Sequence, residues 1–354
     1  MPSLRPTPGS TGAAGALLRA IPALVLSGLL AACTTSESIH SLHGESMGST
    51  WTVRFVGRSA DLGATREAVE QRLALIDQQM STWKPDSDLS RFNNASAGSW
   101  HTLPPELFEV VDAALDLASA SGGAYDPTVG PLVDLWGFGP AGNRREPPAS
   151  EAVDAMRKQV GWERVQRDAP ERRVFQDGSV HIDLSSIAPG YALDMIGDYL
   201  ESQGIHDYLV EVGGELRARG VKPDGDAWQV AIQRPLENDS ADGSITPQHV
   251  IGLRDASLGS SGDYRNFFED AGRRYAHRID PRRGYPLDNG IASVTVMSAM
   301  GIDADPLATA LSVLGVKAGL EFANRRGLAV LFIVRTDEGF EEVMTPPFAA
   351  LLAR

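Results

Sequence analysis

Apolar and polar positions fall into two rhythms along this chain, and the two occupy separate runs. Thr50 to Val56 alternates in the manner of a half-buried strand. From Ala64 to Met80 the residues Val69, Leu73, Ile76 and Met80 recur at helical spacing on one stripe. Pro105 to Ala120 predicts a second helix, opened by Pro and closed before Gly122-Gly123, with Leu107, Val111, Leu115 and Ala118 on its buried face. Val180 to Leu184 reads as a strand feeding a helix from about Gly190 to Gln203, which Gly204 ends. Tyr208 to Val212, Gln229 to Gln233, Val250 to Leu253, Arg274 to Ile279, Ile291 to Met297 and Leu328 to Val334 read as strands. Pro306 to Leu314 and Lys317 to Arg325 read as helices, and Ala141 to Ser150 and Pro235 to Gln248 as polar loops. Strands in runs, with helices grouped between them, favour an α+β fold of mixed, largely antiparallel sheets packed with helices.

The N-terminus follows another pattern. Arg5 and Arg19 precede an apolar run, Ile21 to Leu30, too short for a permanent membrane span. The run ends in Leu30-Ala-Ala-Cys33, the small-residue pattern of a bacterial lipoprotein cleavage site. Residues 1–32 are therefore expected to be a signal peptide, 33–42 a lipidated Ser-rich tether and 43–354 the globular part. Cys33 is the single cysteine in the chain, so no disulfide framework is possible. Acylation there would anchor the protein to a membrane, facing the periplasm. The formal charge of −14 becomes about −16 once Arg5 and Arg19 are removed. That balance argues against nucleic acid, which needs a basic footprint. It also leaves any phosphate ligand to be met locally, by a metal or by backbone N–H groups.

Candidate chemistry gathers late in the chain. Asp305 and Thr309 lie four apart, on one helix face, and both are hard oxygen donors suited to Mg²⁺. By itself an Asp before a helix is more often an N-cap. His277 and Asp280 leave a strand at a Pro/Gly turn. Imidazole titrates near working pH, which makes His277 the candidate acid/base group, with Asp280 and Asp263 as candidates to orient it. Trp136 and Phe138 read as structural.

An ordered series of motifs runs through nearly all of the chain beyond the signal. It comprises Met47-Gly-Ser-Thr-Trp-Thr-Val, Met80-Ser-Thr-Trp-Lys-Pro-Asp-Ser-Asp-Leu-Ser-Arg-Phe-Asn, Gly123-Ala-Tyr-Asp-Pro-Thr-Val-Gly-Pro-Leu-Val and Leu135-Trp-Gly-Phe-Gly. It continues with Ile182-Asp-Leu-Ser-Ser-Ile-Ala-Pro-Gly-Tyr-Ala-Leu-Asp, Val212-Gly-Gly-Glu-Leu-Arg-Ala-Arg-Gly, Ser261-Gly-Asp-Tyr, Tyr275-Ala-His-Arg-Ile-Asp-Pro-Arg-Arg-Gly and Asp303-Ala-Asp-Pro-Leu-Ala-Thr-Ala. In this series the chain resembles the ApbE family, the FAD:protein FMN transferases.

The resemblance implies two intimately associated T-fold-like lobes forming one FAD-binding domain. It implies FAD as substrate, Mg²⁺ as cofactor and transfer of FMN to a threonine or serine hydroxyl, with release of AMP. Met47, Trp83, Ala124, Tyr125, Asp126, Asp183 and Ile279 match positions around FAD, with Trp83 and Tyr125 offering flat surfaces for a ring. Asp305 and Thr309 match the side-chain metal ligands, Ser186 a carbonyl ligand and Ala308 a nearby carbonyl. His277 falls at the reacting centre. Pro189 departs from the family, which usually has Lys there; Arg278, Arg282 and Arg283 are the candidates to restore the charge. Implied partners are acceptor flavoproteins such as subunits of the Na⁺-translocating NADH:quinone reductase or Rnf type. The alternatives are an FAD pyrophosphatase, in which water replaces the hydroxyl, and a flavin-binding lipoprotein without chemistry.

Overall fold

An eight-stranded antiparallel sheet organises the molecule, seen in a computed structural model that describes residues 38–57, 62–140, 142, 145–236, 246–264 and 266–353. Its strands are β1 (Ser38–Ser46), β2 (Ser49–Gly57), β3 (Tyr208–Val212), β4 (Glu215–Arg219), β7 (Ala256–Gly262), β8 (Ile291–Ser298), β9 (Ala329–Thr336) and β10 (Gly339–Met344). The spatial order is β1-β2-β3-β4-β7-β8-β9-β10, and every neighbouring pair is antiparallel. Strands β5 (Trp228–Gln233) and β6 (Pro247–Leu253) form a separate hairpin-like ribbon. The helices packed on this sheet include α1 (Leu62–Met80), α2 (Pro105–Ser121), α3 (Ala188–Ser202), α4 (Gly301–Arg325) and α5 (Pro346–Leu352). The expected lobes share this one continuous sheet, and the described residues belong to a single compact unit.

Alternation along the strands divides the core. Trp51, Val53 and Phe55 of β2 and Tyr208, Val210 and Val212 of β3 are buried with the stripes of α1, α2 and α3. Val56 and Leu209 point the other way and pack with Trp228, Val230 and Ile232 of the ribbon and Phe348 of α5. The intervening positions Thr50, Thr52 and Arg54 are left to line a cleft.

Several expectations need correction. Ser38–Leu42, assigned to the tether, belong to β1, because the segment pairs residue for residue with β2. Val180–Leu184 is not a strand: its backbone bonds are met by the Asn93 side chain at Ile182 and by the Pro127 carbonyl at Asp183. The strand expected over Arg274–Ile279 is interrupted; Arg273–Ala276 and Ile279–Asp280 pair with different partners. The two C-terminal helices are separated at Gly315, whose backbone is non-helical, as the pattern predicted, but the first begins at Gly301 rather than Pro306. The early start has a tertiary cause. The Asp194 carboxylate of α3 accepts from the Gly301 and Ile302 amides at 2.8 Å each, acting as a cap supplied by another helix.

Candidate active site

The cleft, about 960 Å³ in volume, is walled by β2, the Gly213-Gly214 turn, the ribbon strand β5, the residues Ser261, Gly262, Tyr264 and Asn266, and the starts of α3 and α4. Two close backbone approaches fix the last pair. A Cβ at Gly190 would lie 2.2 Å from the Gly301 carbonyl oxygen, and one at Gly259 would lie 2.4 Å from the backbone of Ala304. Only glycine permits these contacts, so α3, β7 and α4 meet at backbone distance just where Asp305 is carried.

Asp305 is buried, and its Oδ2 accepts from the Gly190 amide at 3.0 Å. Burial pushes its carboxyl up to about 7, partly offset by that amide. The alternative reading of Asp305 as an N-cap does not hold: Asp305 sits inside the helix, and Asp194 does the capping. Thr309, one turn on, lines the same cleft with Asp183, Ser186 and Pro189. Asp183 closes its own turn, Oδ1 accepting from Ser185 N at 2.8 Å. These groups are oxygen donors throughout, and among the described residues no cluster of three or more His, Cys, Asp or Glu side chains stands ready for a metal. The set fits a cation that keeps positions for phosphate oxygens and water, as Mg²⁺ does, and does not fit zinc.

His277 lies across the cleft in the gap between its two short strands. Its backbone amide and its ring Nδ1 both reach the Asn266 carbonyl, at 3.0 and 3.1 Å. That contact fixes the tautomer with hydrogen on Nδ1 and leaves Nε2 as the lone-pair nitrogen. Desolvation of the half-buried ring, with the Arg278 charge beside it, lowers its pKa to about 4, so the ring is neutral at working pH. Phe138 meets it edge-on, centroids 6.4 Å apart, backed by Phe268 stacked at 5.7 Å. The expected orienting carboxylates are engaged elsewhere. Asp280 holds Arg282 at 2.9 and 3.0 Å, and Asp263 holds Arg335 at 2.6 Å. A backbone carbonyl orients the imidazole instead.

Of the other residues expected around the ligand, Trp83 is 65% exposed and lines the cleft, as does Ile279. Met47 does not line it: it occupies the β1–β2 turn in the left-handed region (φ 51°), packed against the main core. Ala124, Tyr125 and Asp126 are buried behind the wall. Tyr125 offers no face for stacking, since its ring lies in the core and its hydroxyl receives Ser186 Oγ at 3.4 Å. Asp126 accepts from Thr128 and from the Trp162 amide, tying two loops together. Ala308 is fully buried in α4. Among the three candidate arginines only Arg278 reaches the cleft, where it is held by the Ile291 carbonyl at 2.6 Å and Ser312 Oγ at 3.1 Å. Arg282 is committed to Asp280. Cys33 lies outside the described residues.

Residues 47–332 match the model of the ApbE family. The chain belongs to the ApbE family. A Vibrio cholerae FAD:protein FMN transferase is 38% identical over 92% of this chain and 96% of its own length, and the Escherichia coli K12 protein of that name is 35% identical over 90% and 91%. The apo flavinyl transferase ApbE of Pseudomonas stutzeri superposes with a TM-score of 0.81 at 39% identity, covering 90% of this chain and 98% of that one. An ApbE protein from Thermotoga maritima gives 0.77 at 28% identity. Against this ApbE frame, reading the sequence alone missed Asp194 and Arg54, and took as structural Phe138, which lines the cleft against His277. Asp194 stands at the end of the Ile182–Asp194 motif, 107 residues before the Gly301 amide that it caps, so no local pattern revealed its partner. Arg54 was legible as an outward position of β2, but strand alternation does not reveal that the outward face is a cleft.

Proposed function

We propose that this ApbE protein transfers FMN from FAD to a threonine or serine hydroxyl of an acceptor flavoprotein, with Mg²⁺ as cofactor and His277 as general base. The observation that carries this reading is the convergence, in one cleft, of a neutral imidazole with its Nε2 unencumbered and the Asp305–Thr309 oxygen pair, on a chain collinear with FMN transferases.

The acceptor oxygen attacks the FMN-side phosphorus, the bond from that phosphorus to the bridging oxygen breaks, and AMP leaves with the electron pair. The hydroxyl proton passes to His277 Nε2, and the Asn266 carbonyl holds Nδ1–H so that the lone pair stays directed at the cleft. Trp83 presents an exposed indole face for a flat ring. Asp305 and Thr309, with the Ser186 carbonyl, would hold Mg²⁺, while the Gly190 amide keeps the Asp305 carboxylate in place. When bound, the metal supplies Lewis-acid neutralisation of the pyrophosphate charge. The positive charge missing at Pro189 would be supplied by the cation and by Arg278 on the cleft wall.

The N-terminal reading belongs to the same proposal: a signal peptide cleaved before Cys33, lipidation of Cys33, and a periplasm-facing enzyme serving membrane redox complexes of the Na⁺-translocating NADH:quinone reductase or Rnf type. Incubation with FAD, Mg²⁺ and the flavin-carrying subunit of such a complex tests the reading. Fluorescent acceptor in a denaturing gel, together with AMP, supports it. Free FMN and AMP without labelled acceptor would make the protein a pyrophosphatase, and bound but unchanged FAD a carrier. Mass spectrometry of the mature protein tests the anchor, and an unmodified Cys33 would refute it.

A further inference from the structure

Transfer to a protein requires a stretch of the acceptor to enter the cleft, and one wall of the cleft is a strand with an open edge. β5 pairs with β6 alone among the described strands. From Trp228 to Ile232 none of its backbone groups bonds to backbone outside that ladder among the described residues. Gln229, Val230, Ala231 and Ile232 nevertheless all line the cleft. Side chains of a strand alternate between faces, so four consecutive residues bordering one cavity place the cavity along the strand's edge, beside the backbone itself. Every other residue of an antiparallel pair turns its N–H and C=O away from its partner, which leaves β5 with a row of donors and acceptors on the cleft side. Val230 and Ile232 are anchored in the core with Val56 and Leu209, so the edge is held in place.

The edge leads toward the reacting centre. The Tyr264 hydroxyl reaches Gln233 Oε1 at 3.3 Å, and two residues further on the Asn266 carbonyl holds the His277 ring. Beside the edge stands Arg54. It pairs across the sheet with Leu209 and shares a strand face with Val56, the two residues on which β5 is packed. Arg54 is exposed, lines the cleft and has no ion pair among the described residues.

We propose that the acceptor polypeptide docks as an added strand along the open edge of β5, carrying its hydroxyl toward His277 and setting an acidic side chain against Arg54. The mode is strand addition, in which main-chain bonds give affinity and side chains give selectivity. It rests on the transferase reading above.

The test uses the intact chain with FAD, Mg²⁺ and a pool of short peptides that share a central Thr among randomised positions. Flavin-labelled products are identified by mass spectrometry. Asp or Glu should be enriched at one fixed offset from the Thr. In the preferred peptide, N-methylation of alternate backbone amides should reduce labelling on the order of tenfold each, with the intervening amides tolerant. Arg54→Glu should change the preference at that offset from acidic to Lys or Arg. Sensitivity to N-methylation without a period of two would overturn strand addition, and an acidic preference unchanged in Arg54→Glu would overturn the pairing. A pool that takes no flavin while FAD is split with water also counts against docking at this edge. No AMP from FAD under any condition would instead defeat the transferase reading itself.

Discussion

At the scale of single residues, the proposed mechanism divides the chemistry between His277 and Asp305, and the two make separable predictions. Replacing His277 by Ala should lower FMN transfer roughly 10²–10⁴-fold, the usual scale for a general base, while FAD still binds, as followed by quenching of flavin fluorescence. A loss of FAD affinity in proportion to the loss of rate would make His277 a binding residue. Because its pKa is lowered to about 4, the acidic limb of kcat/KM at saturating Mg²⁺ should lie near that value rather than near 6.5. Asp305 carries the opposite sign. Its folded carboxyl titrates near 7 against an ordinary 3.8, so the folded state holds a proton that the unfolded chain has lost. Its contribution to stability is complete below the unfolded value and disappears as pH rises to about 7. Metal-free wild type should therefore lose ground to Asp305→Asn between pH 4 and 7 in urea titrations, and Mg²⁺ should stabilise wild type alone above that range. Equal Mg²⁺ stabilisation of both proteins would remove Asp305 from the metal site. His277 and Asp305 were legible because polar residues at strand exits and helix starts stand out in an apolar pattern. Burial was not legible, and it is burial that sets both protonation states.

Between elements, the site depends on how α3 and α4 begin. Asp194 caps α4 from α3 and pairs with the buried Arg217, while Gly190 and Gly301 bring the two backbones together. Gly190→Ala should cost about 1–3 kcal/mol through overpacking, read by chemical denaturation, and should weaken Mg²⁺-dependent turnover by moving Asp305. Asp194→Ala should cost about 3 kcal/mol or more, since it leaves the Arg217 charge buried beside fewer partners. Full stability in either variant would show that the helix starts are placed by other contacts. Helical periodicity located both helices, and Gly315 divides α4 close to the expected boundary. The start of α4 was misplaced because its cap comes from over a hundred residues away in sequence. The Val180–Leu184 segment misled for a related reason: its apolar alternation is real, but its partners are the Asn93 side chain and a loop carbonyl instead of a strand.

Across the whole molecule, one antiparallel sheet presents a helical face that forms most of the core and an opposite face where the ribbon covers only part of the surface. The uncovered part is the cleft. Composition indicated the general character of this surface, since an acidic protein without a basic stripe has to meet a phosphate ligand locally, by a metal or by backbone N–H groups. The pairing of distant strands, and hence the cleft, is not encoded in any local pattern. The central claim is transfer of FMN to a protein hydroxyl, and the most direct measurement is the intact mass of an acceptor subunit after incubation with the chain, FAD and Mg²⁺. The expected result is a gain equal to FMN less one water on a single Thr or Ser, with one AMP released for each adduct and no adduct formed by His277→Ala on the same timescale. An acceptor of unchanged mass, with FMN and AMP accumulating free in solution, would contradict it.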